Sequence, residues 1–381
     1  MNRRLLPLIA AMLTLTSAVA WTAETVTTRA ARTSENTNKL GKVLAQFPEA
    51  DLDGDGVLTQ EEWDQAREST EKQSKQRLGK NAETKLRKPD FADVAYGPDP
   101  LNVLDFWQAQ AESPTPVVIW FHGGGFENGS KGTIGNRTLV PQLLEAGVSF
   151  VSADYRLRGT TAIQDILRDG ARVVQFMRHQ AAEWNIDPER IVCMGGSAGA
   201  GMSVWIGVHD DLADPQSDDP VARESSRIAG VVGLAPQCSY DMEVWLTHVP
   251  DSKPAETLSQ IHQFYKFSSP EDLKSEEGKR ILNDVNMMGM LSSDDPPMLL
   301  FSNAPDVPAG SPGFSGNHHP LHVLALKKQA DAVGVACETW FSQREPMVPK
   351  GESTDVVVYP FLSRILAIPA APSTVISATA E

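Results

Sequence analysis

Two short stretches of this 381-residue chain hold residue types arranged for acyl chemistry. The first is Gly195-Gly196-Ser197-Ala198-Gly199, which follows the apolar run Ile191-Val192-Cys193-Met194 directly and precedes a helix-like segment. A strand that turns sharply into a helix between small residues lifts a serine hydroxyl above the sheet edge, and the helix N-terminus favours developing negative charge there. A bare G-x-S-x-G is often only a turn, so its place between strand and helix is what gives it weight. The second stretch is His122-Gly123-Gly124-Gly125, at the end of the apolar run Val117 to Phe121. Acyl transfer places charge on an oxygen, and the backbone amides of Gly124, Gly125 and Ala198 are the candidate donors to it. His122 reads as a structural histidine, because in such a loop the backbone is the working part.

A third constellation has different chemistry. Asp51-Leu52-Asp53-Gly54-Asp55-Gly56, with Glu62 six residues on, satisfies D-x-D-x-D-G-x5-E at every position. Calcium takes six to eight hard oxygens. Here they are the carboxylates of Asp51, Asp53 and Asp55, the Val57 carbonyl, the Thr59 hydroxyl or a water it holds, and a bidentate Glu62, with Gly56 allowing the turn. The loop resembles an EF-hand. One such loop lacks the partner hand a sensor needs, so the expected role is a structural clamp, with calcium affinity on the order of 10⁻⁴ to 10⁻³ M.

These residues need a scaffold. From Phe91 onward short apolar runs alternate with amphipathic helix-length segments, the texture of an α/β protein with a mostly parallel sheet. Strands are expected at Val103–Gln108, Val117–Phe121, Val148–Ala153, Ile191–Met194, Ile228–Leu234, Met298–Ser302 and Cys337–Phe341. Helices are expected at Thr138–Ala146, Ala162–Trp184, Ala200–His209 and Leu321–Val333, and residues 237–295 read as a cap over the sheet. Ahead of this domain (91–368) lie a small helical calcium module (38–68) and a charged linker (69–90), and a polar tail (369–381) follows it.

At the start, Arg3 and Arg4 precede an apolar stretch ending in Ala18-Val19-Ala20, so residues 1–20 read as a cleaved secretory signal and 21–37 as a flexible tether. The expectation is a secreted or periplasmic protein with no membrane span in its mature form. A net charge of −15 repels phosphate backbones and argues against nucleic-acid partners. Three scattered cysteines are too few for a disulfide framework.

The segment from about Phe91 to Val333, on its GGSAG and HGGG motifs, resembles an α/β-hydrolase of the lipase and esterase type and is similar to secreted carbohydrate esterases of the acetylxylan and feruloyl group. The resemblance implies an eight-stranded, mostly parallel sheet flanked by helices, Ser197 as nucleophile and a small-molecule or polysaccharide ester as substrate. It also implies an acid after a late strand, for which Asp306 is the candidate, and a histidine beyond the last strand. The chain departs from that pattern at the histidine: none follows His322, and Lys350-Gly351-Glu352 occupy the region. Two residues could repair the gap. His318 or His319 either swings to Ser197 as the base, or starts the helix at Leu321 and packs the loop or binds substrate. Loss of the base in a comparable triad costs on the order of 10⁶ in turnover, so two readings stand: a serine esterase with an irregular histidine, or a catalytically degenerate hydrolase fold that binds a ligand or partner.

Overall fold

The computed structural model describes residues 51–53, 55–62, 65, 86–135, 137–250, 261–308, 311, 313–349 and 352–370. They fall into two compact units, Met1–Lys85 and Leu86–Glu381. The expected leader, the tether, the first helix of the calcium module, residues 69–85 of the linker and the tail from 371 lie outside the described residues.

In the larger unit the elements run β1 (Phe91–Ala95), β2 (Val103–Trp107), β3 (Thr115–Phe121), α1 (Leu139–Glu145), β4 (Ser149–Ala153), α2 (Ile163–His179), β5 (Ile186–Gly196), α3 (Ala198–Val208) and β6 (Gly230–Leu234). Four short helices follow, α4 (Met242–His248), α5 (Ile261–Phe264), α6 (Glu276–Asp284) and α7 (Met287–Met290), and then β7 (Met298–Ser302), α8 (Pro320–Val333), β8 (Cys337–Phe341) and α9 (Asp355–Leu366). The strands form one eight-stranded sheet in the order β1-β2-β4-β3-β5-β6-β7-β8. Only β1 with β2 and β2 with β4 are antiparallel. This is the α/β-hydrolase fold.

Alternation along the strands builds the layers. Val117, Ile119 and Phe121 of β3 join one apolar cluster, while Val118 and Trp120 join another. Ile191 and Cys193 of β5 part from Val192 and Met194 in the same way. A period of two sends successive side chains to opposite faces, so a run that is apolar at every position demands helices on both sides. On one face α2, α3 and α8 contribute Val174, Trp205 and Leu326; on the other, α1 and α9 contribute Leu143 and Val358.

The expected strands are all present, five with shifted ends, and Met298–Ser302 and Cys337–Phe341 match in full. Besides β1 and the short helices α4–α7, which were not among the expected elements, two elements differ from expectation. Helix α2 ends at His179 rather than Trp184, because Trp184 leaves the helix to stack on Phe106 at 4.8 Å and on Phe91 at 5.1 Å, closing the edge that β1 and β2 form. Helix α9 was not among the expected helices, and its Val-Val-Val run and internal Pro360 do not favour one. Burial decides it: Val358, Leu362 and Leu366 recur every four residues with no exposed surface, while Pro360 faces outward, where water can serve the carbonyl it leaves unbonded. Among the described residues no helix is long and apolar enough to cross a membrane.

Candidate active site

The nucleophile turn is set by close backbone approach. β5 ends at Gly196 and α3 begins at Ala198, so Ser197 alone makes the reversal, with φ 52° and ψ −117°. A positive φ in a non-glycine residue costs roughly 1–3 kcal/mol and persists only where the surroundings impose it. The glycines on either side show how. A side-chain carbon on Gly195 would lie 2.3 Å from the Gly199 carbonyl, and one on Gly199 would lie 2.1 Å from the Phe121 carbonyl oxygen. Strand, turn and helix therefore touch through backbone alone. The Ser197 amide donates to the Leu234 carbonyl at 2.8 Å, which ties the turn to the end of β6 and leaves the hydroxyl half-buried.

The glycine loop after β3 packs against this turn: a side-chain carbon on Gly123 would meet the Gly196 carbonyl at 2.9 Å and the Ser197 β-carbon at 3.3 Å. His122 beneath it is buried and stacked on Tyr155 at 4.2 Å, and burial lowers its pKa, so the ring is neutral. The Tyr155 hydroxyl donates to the His122 carbonyl at 2.6 Å, and His122 Nδ1 sits 2.8 Å from the Gly123 carbonyl. In a trans peptide the N–H opposes the C=O. Fixing those two carbonyls turns the Gly123 and Gly124 amides the other way. Among the described residues no hydrogen bond is donated by the amides of Gly124, Gly125 or Ala198. Gly124 at φ 119° and Gly125 at φ 62° adopt backbone that favours glycine.

His318 lies in the connection between β7 and α8, and its Nε2 is 2.7 Å from Ser197 Oγ. Burial lowers its pKa, which keeps the imidazole neutral and able to accept the hydroxyl proton. His319 does not share this position. It caps α8, where its Nδ1 accepts the Leu321 amide at 3.3 Å, and its Nε2 lies 3.0 Å from the Val307 carbonyl. Nor does Asp306 reach His318. Its carboxylate pairs with Arg344 at 2.7 Å and stands 3.9 Å from His319 Nε2. No ion pair among the described residues joins His318 to a carboxylate. The structure thus gathers Ser197, His318 and the start of the glycine loop at Gly123, and sets Asp306 and His319 aside in a neighbouring brace, because Arg344 arriving after β8 takes up the carboxylate.

Three residues that sequence reasoning passed over hold the His318 loop. Ser302 donates to the His318 carbonyl at 3.0 Å, Gln237 Nε2 to the Asn317 carbonyl at 3.0 Å, and His322 Nε2 to the Gly316 carbonyl at 2.9 Å. None stands in a recognisable motif, and the only trace in the sequence is the four-residue spacing of His318 and His322.

In the smaller unit, oxygens of Asp51, Asp53 and Asp55 lie within 4.8 Å of one another. The Gly56 amide donates to Asp51 at 2.8 Å and the Val57 amide to Asp55 at 2.7 Å. Glu62 folds back over the loop, accepting from the Thr59 hydroxyl at 2.7 Å and the Leu52 amide at 3.2 Å. Asp53 accepts from the Asp55 amide, which lowers its pKa, yet desolvation and the Asp55 and Glu62 charges outweigh this and leave it raised. Carboxylates that crowd enough to raise one another's pKa are a donor set suited to a hard cation. Leu58 between them is fully buried.

Comparison with known proteins agrees with this geometry. The BD-FAE family profile matches residues 104–308, a span that holds the glycine loop and Ser197 and stops short of His318. A probable isoprenylcysteine alpha-carbonyl methylesterase of Arabidopsis thaliana is 32% identical over 143 residues, 37% of this chain and 30% of that protein. Esterase LipQ of Mycobacterium tuberculosis is 28% identical over 152 residues, 38% of this chain and 36% of that one. The chain spans about a third of the length of these curated relatives. Among solved structures, an acetyl ester-xyloside bifunctional hydrolase from Caldicellulosiruptor lactoaceticus aligns with TM-score 0.52 and 20% identity, over 74% of this chain and 96% of that one. Thermogutta terrifontis esterase 2 aligns with TM-score 0.55 and 20% identity, over 75% and 98%. These likenesses are of fold.

Proposed function

The chain belongs to the BD-FAE family, and we propose that it is a serine esterase that hydrolyses carboxylic esters, with acylated carbohydrates as the substrate class. The observation that carries this reading is the 2.7 Å contact between Ser197 Oγ and His318 Nε2. In the proposed cycle Ser197 Oγ attacks the ester carbonyl carbon as its proton passes to His318 Nε2. The carbonyl oxygen, now negative, accepts from the amides of Gly124, Gly125 and Ala198, an arrangement in which each donor is worth about 10² to 10³ in rate. His318 then returns the proton to the departing alkoxide. Water attacks the acyl-serine with His318 again as base, and Ser197 is regenerated. The sugar class draws support from the activity named for the Caldicellulosiruptor hydrolase. Hydrolysis of p-nitrophenyl acetate and acetate release from acetylated xylo-oligosaccharides test it, with Ser197→Ala run alongside; equal rates for the two proteins would end the proposal.

The reading extends to two further features. Residues 1–20 carry the pattern of an export signal, consistent with a polysaccharide ester outside the cytoplasm. Asp51, Asp53, Asp55, Val57, Thr59 and Glu62 would hold calcium, which would relieve the mutual repulsion of three carboxylates and brace the smaller unit. Removal of calcium by chelator is expected to lower the melting temperature. An unchanged melt together with no calcium uptake in titration would remove this part of the proposal.

A further inference from the structure

A triad carboxylate orients the histidine ring, selects its tautomer and stabilises the imidazolium. Among the described residues no carboxylate pairs with the base at Ser197, yet its Nε2 is within hydrogen-bond reach of the nucleophile. Something else must fix it. The loop itself is held one carbonyl at a time, at Gly316, Asn317 and His318, by side chains from three different places in the fold. Ser302 is the last residue of β7, Gln237 follows β6, and His322 lies in the first turn of α8. All three are at least 96% buried, so their bonds face no competition from water.

The partners of these side chains are fixed in turn. The Cys238 amide donates to His322 Nδ1 at 3.2 Å, which obliges Nε2 to carry the proton it gives to Gly316. Burial pushes the His322 pKa down to about 3, so this tautomer holds across the working range of an esterase. Gln237 Oε1 accepts from the Tyr240 hydroxyl at 3.0 Å, which sets the amide with its nitrogen toward Asn317. The His318 amide donates to Ser315 at 3.1 Å, completing a turn with little freedom left.

We infer that Gln237, Ser302 and His322 are positioning residues that hold the backbone of the base loop and so do the orienting work a carboxylate does in a triad. The inference rests on the esterase reading. It makes the site a Ser197–His318 dyad whose geometry comes from the histidine's main chain rather than from its ring.

The test measures kcat, KM and the acid limb of kcat/KM for p-nitrophenyl acetate on the full chain. Ser302→Ala and Gln237→Met are expected to lower kcat by about tenfold to a hundredfold, the cost of misplacing a reacting group by about an ångström, with KM within about twofold. The acid limb should move up toward the ordinary histidine value, because a loosened imidazole regains water. Ser302→Thr should restore both, and His322→Gln, which keeps a donor where Nε2 stood, should retain more activity than His322→Leu. Unchanged kcat and limb in Ser302→Ala and Gln237→Met, with Ser197→Ala and His318→Ala inactive, would overturn the inference and leave the esterase reading standing. So would a loss in Asp306→Asn as large as that in His318→Ala. Wild-type activity in Ser197→Ala would instead overturn the reading, and this inference with it.

Discussion

The two halves of the site are built by different means. On the nucleophile side, Ser197 and the glycine loop are locked by backbone against backbone, with Gly195, Gly199 and Gly123 placed where any side chain would collide. On the base side, His318 sits in an irregular turn held by side-chain donors from three remote elements. Steric locks tolerate no substitution at the contact but need no side-chain donor. Hydrogen-bonded loops can be relocated along the chain, provided the donors come together in space. That difference accounts for a histidine missing from its usual segment being supplied from the connection after β7; the family match, residues 104–308, takes in the steric half and ends before His318.

The largest effect should come from the point where the halves meet. Ser197→Ala and His318→Ala are each expected to reduce kcat on p-nitrophenyl acetate by up to about 10⁶, and the double variant by no more than either alone, as for residues acting as a unit. A His318→Ala enzyme within tenfold of wild type would divide the halves and return the base to another group.

Next comes the steric half taken alone. In Gly124→Ala the new carbon would fall 2.0 Å from the Asn128 carbonyl oxygen, at a φ of 119° that side chains rarely adopt. The loop must move, and the expected loss is about 10² to 10³ in kcat, with the thermal melt lowered as well. A variant with normal kcat would show that this amide does not serve the oxyanion.

Legibility follows the same division. G-x-S-x-G and H-G-G-G are contiguous motifs, so a single sequence displays them, although Gly199 and Gly123 are demanded by contacts with Phe121 and Gly196, remote in the chain. The strands were legible because runs such as Val117–Phe121 are apolar on both faces. Helix α9 was not, since only the sheet face it covers outweighs Pro360 and three consecutive valines. Asp306 looked like the acid because it follows β7, but Arg344, thirty-eight residues further on, takes its carboxylate. Nothing in the order of residues separates His318 from His319; the cap at Leu321 and the reach to Ser197 divide the pair.

A smaller effect concerns pH. Burial lowers the His318 pKa, and among the described residues no ion pair joins it to a carboxylate. The base is therefore more than half neutral at the pH where an ordinary histidine, with pKa about 6.5, is half protonated. The acid limb of kcat/KM should fall below about 6.5, so that more than half the plateau rate remains at that pH. A limb well above it would signal a negative charge beside the imidazole, raising its pKa as a triad carboxylate does.

The smallest effect should come from the brace beside the base loop. Asp306 and Arg344 are paired at 2.7 Å, but their side chains are 36% and 39% exposed. A pair so open to solvent is worth roughly 0–1 kcal/mol. Arg344 also lies 5.7 Å from the Phe341 ring centroid, which at an exposed site adds about 0.5–1 kcal/mol. Arg344→Ala should thus lower stability in denaturant by about 1 kcal/mol and leave kcat within about twofold. Because the pair stands at the start of the connection that carries His318, a hundredfold fall in kcat with the melt unchanged would mean that this surface contact, and not the buried donors alone, keeps the imidazole aimed at Ser197.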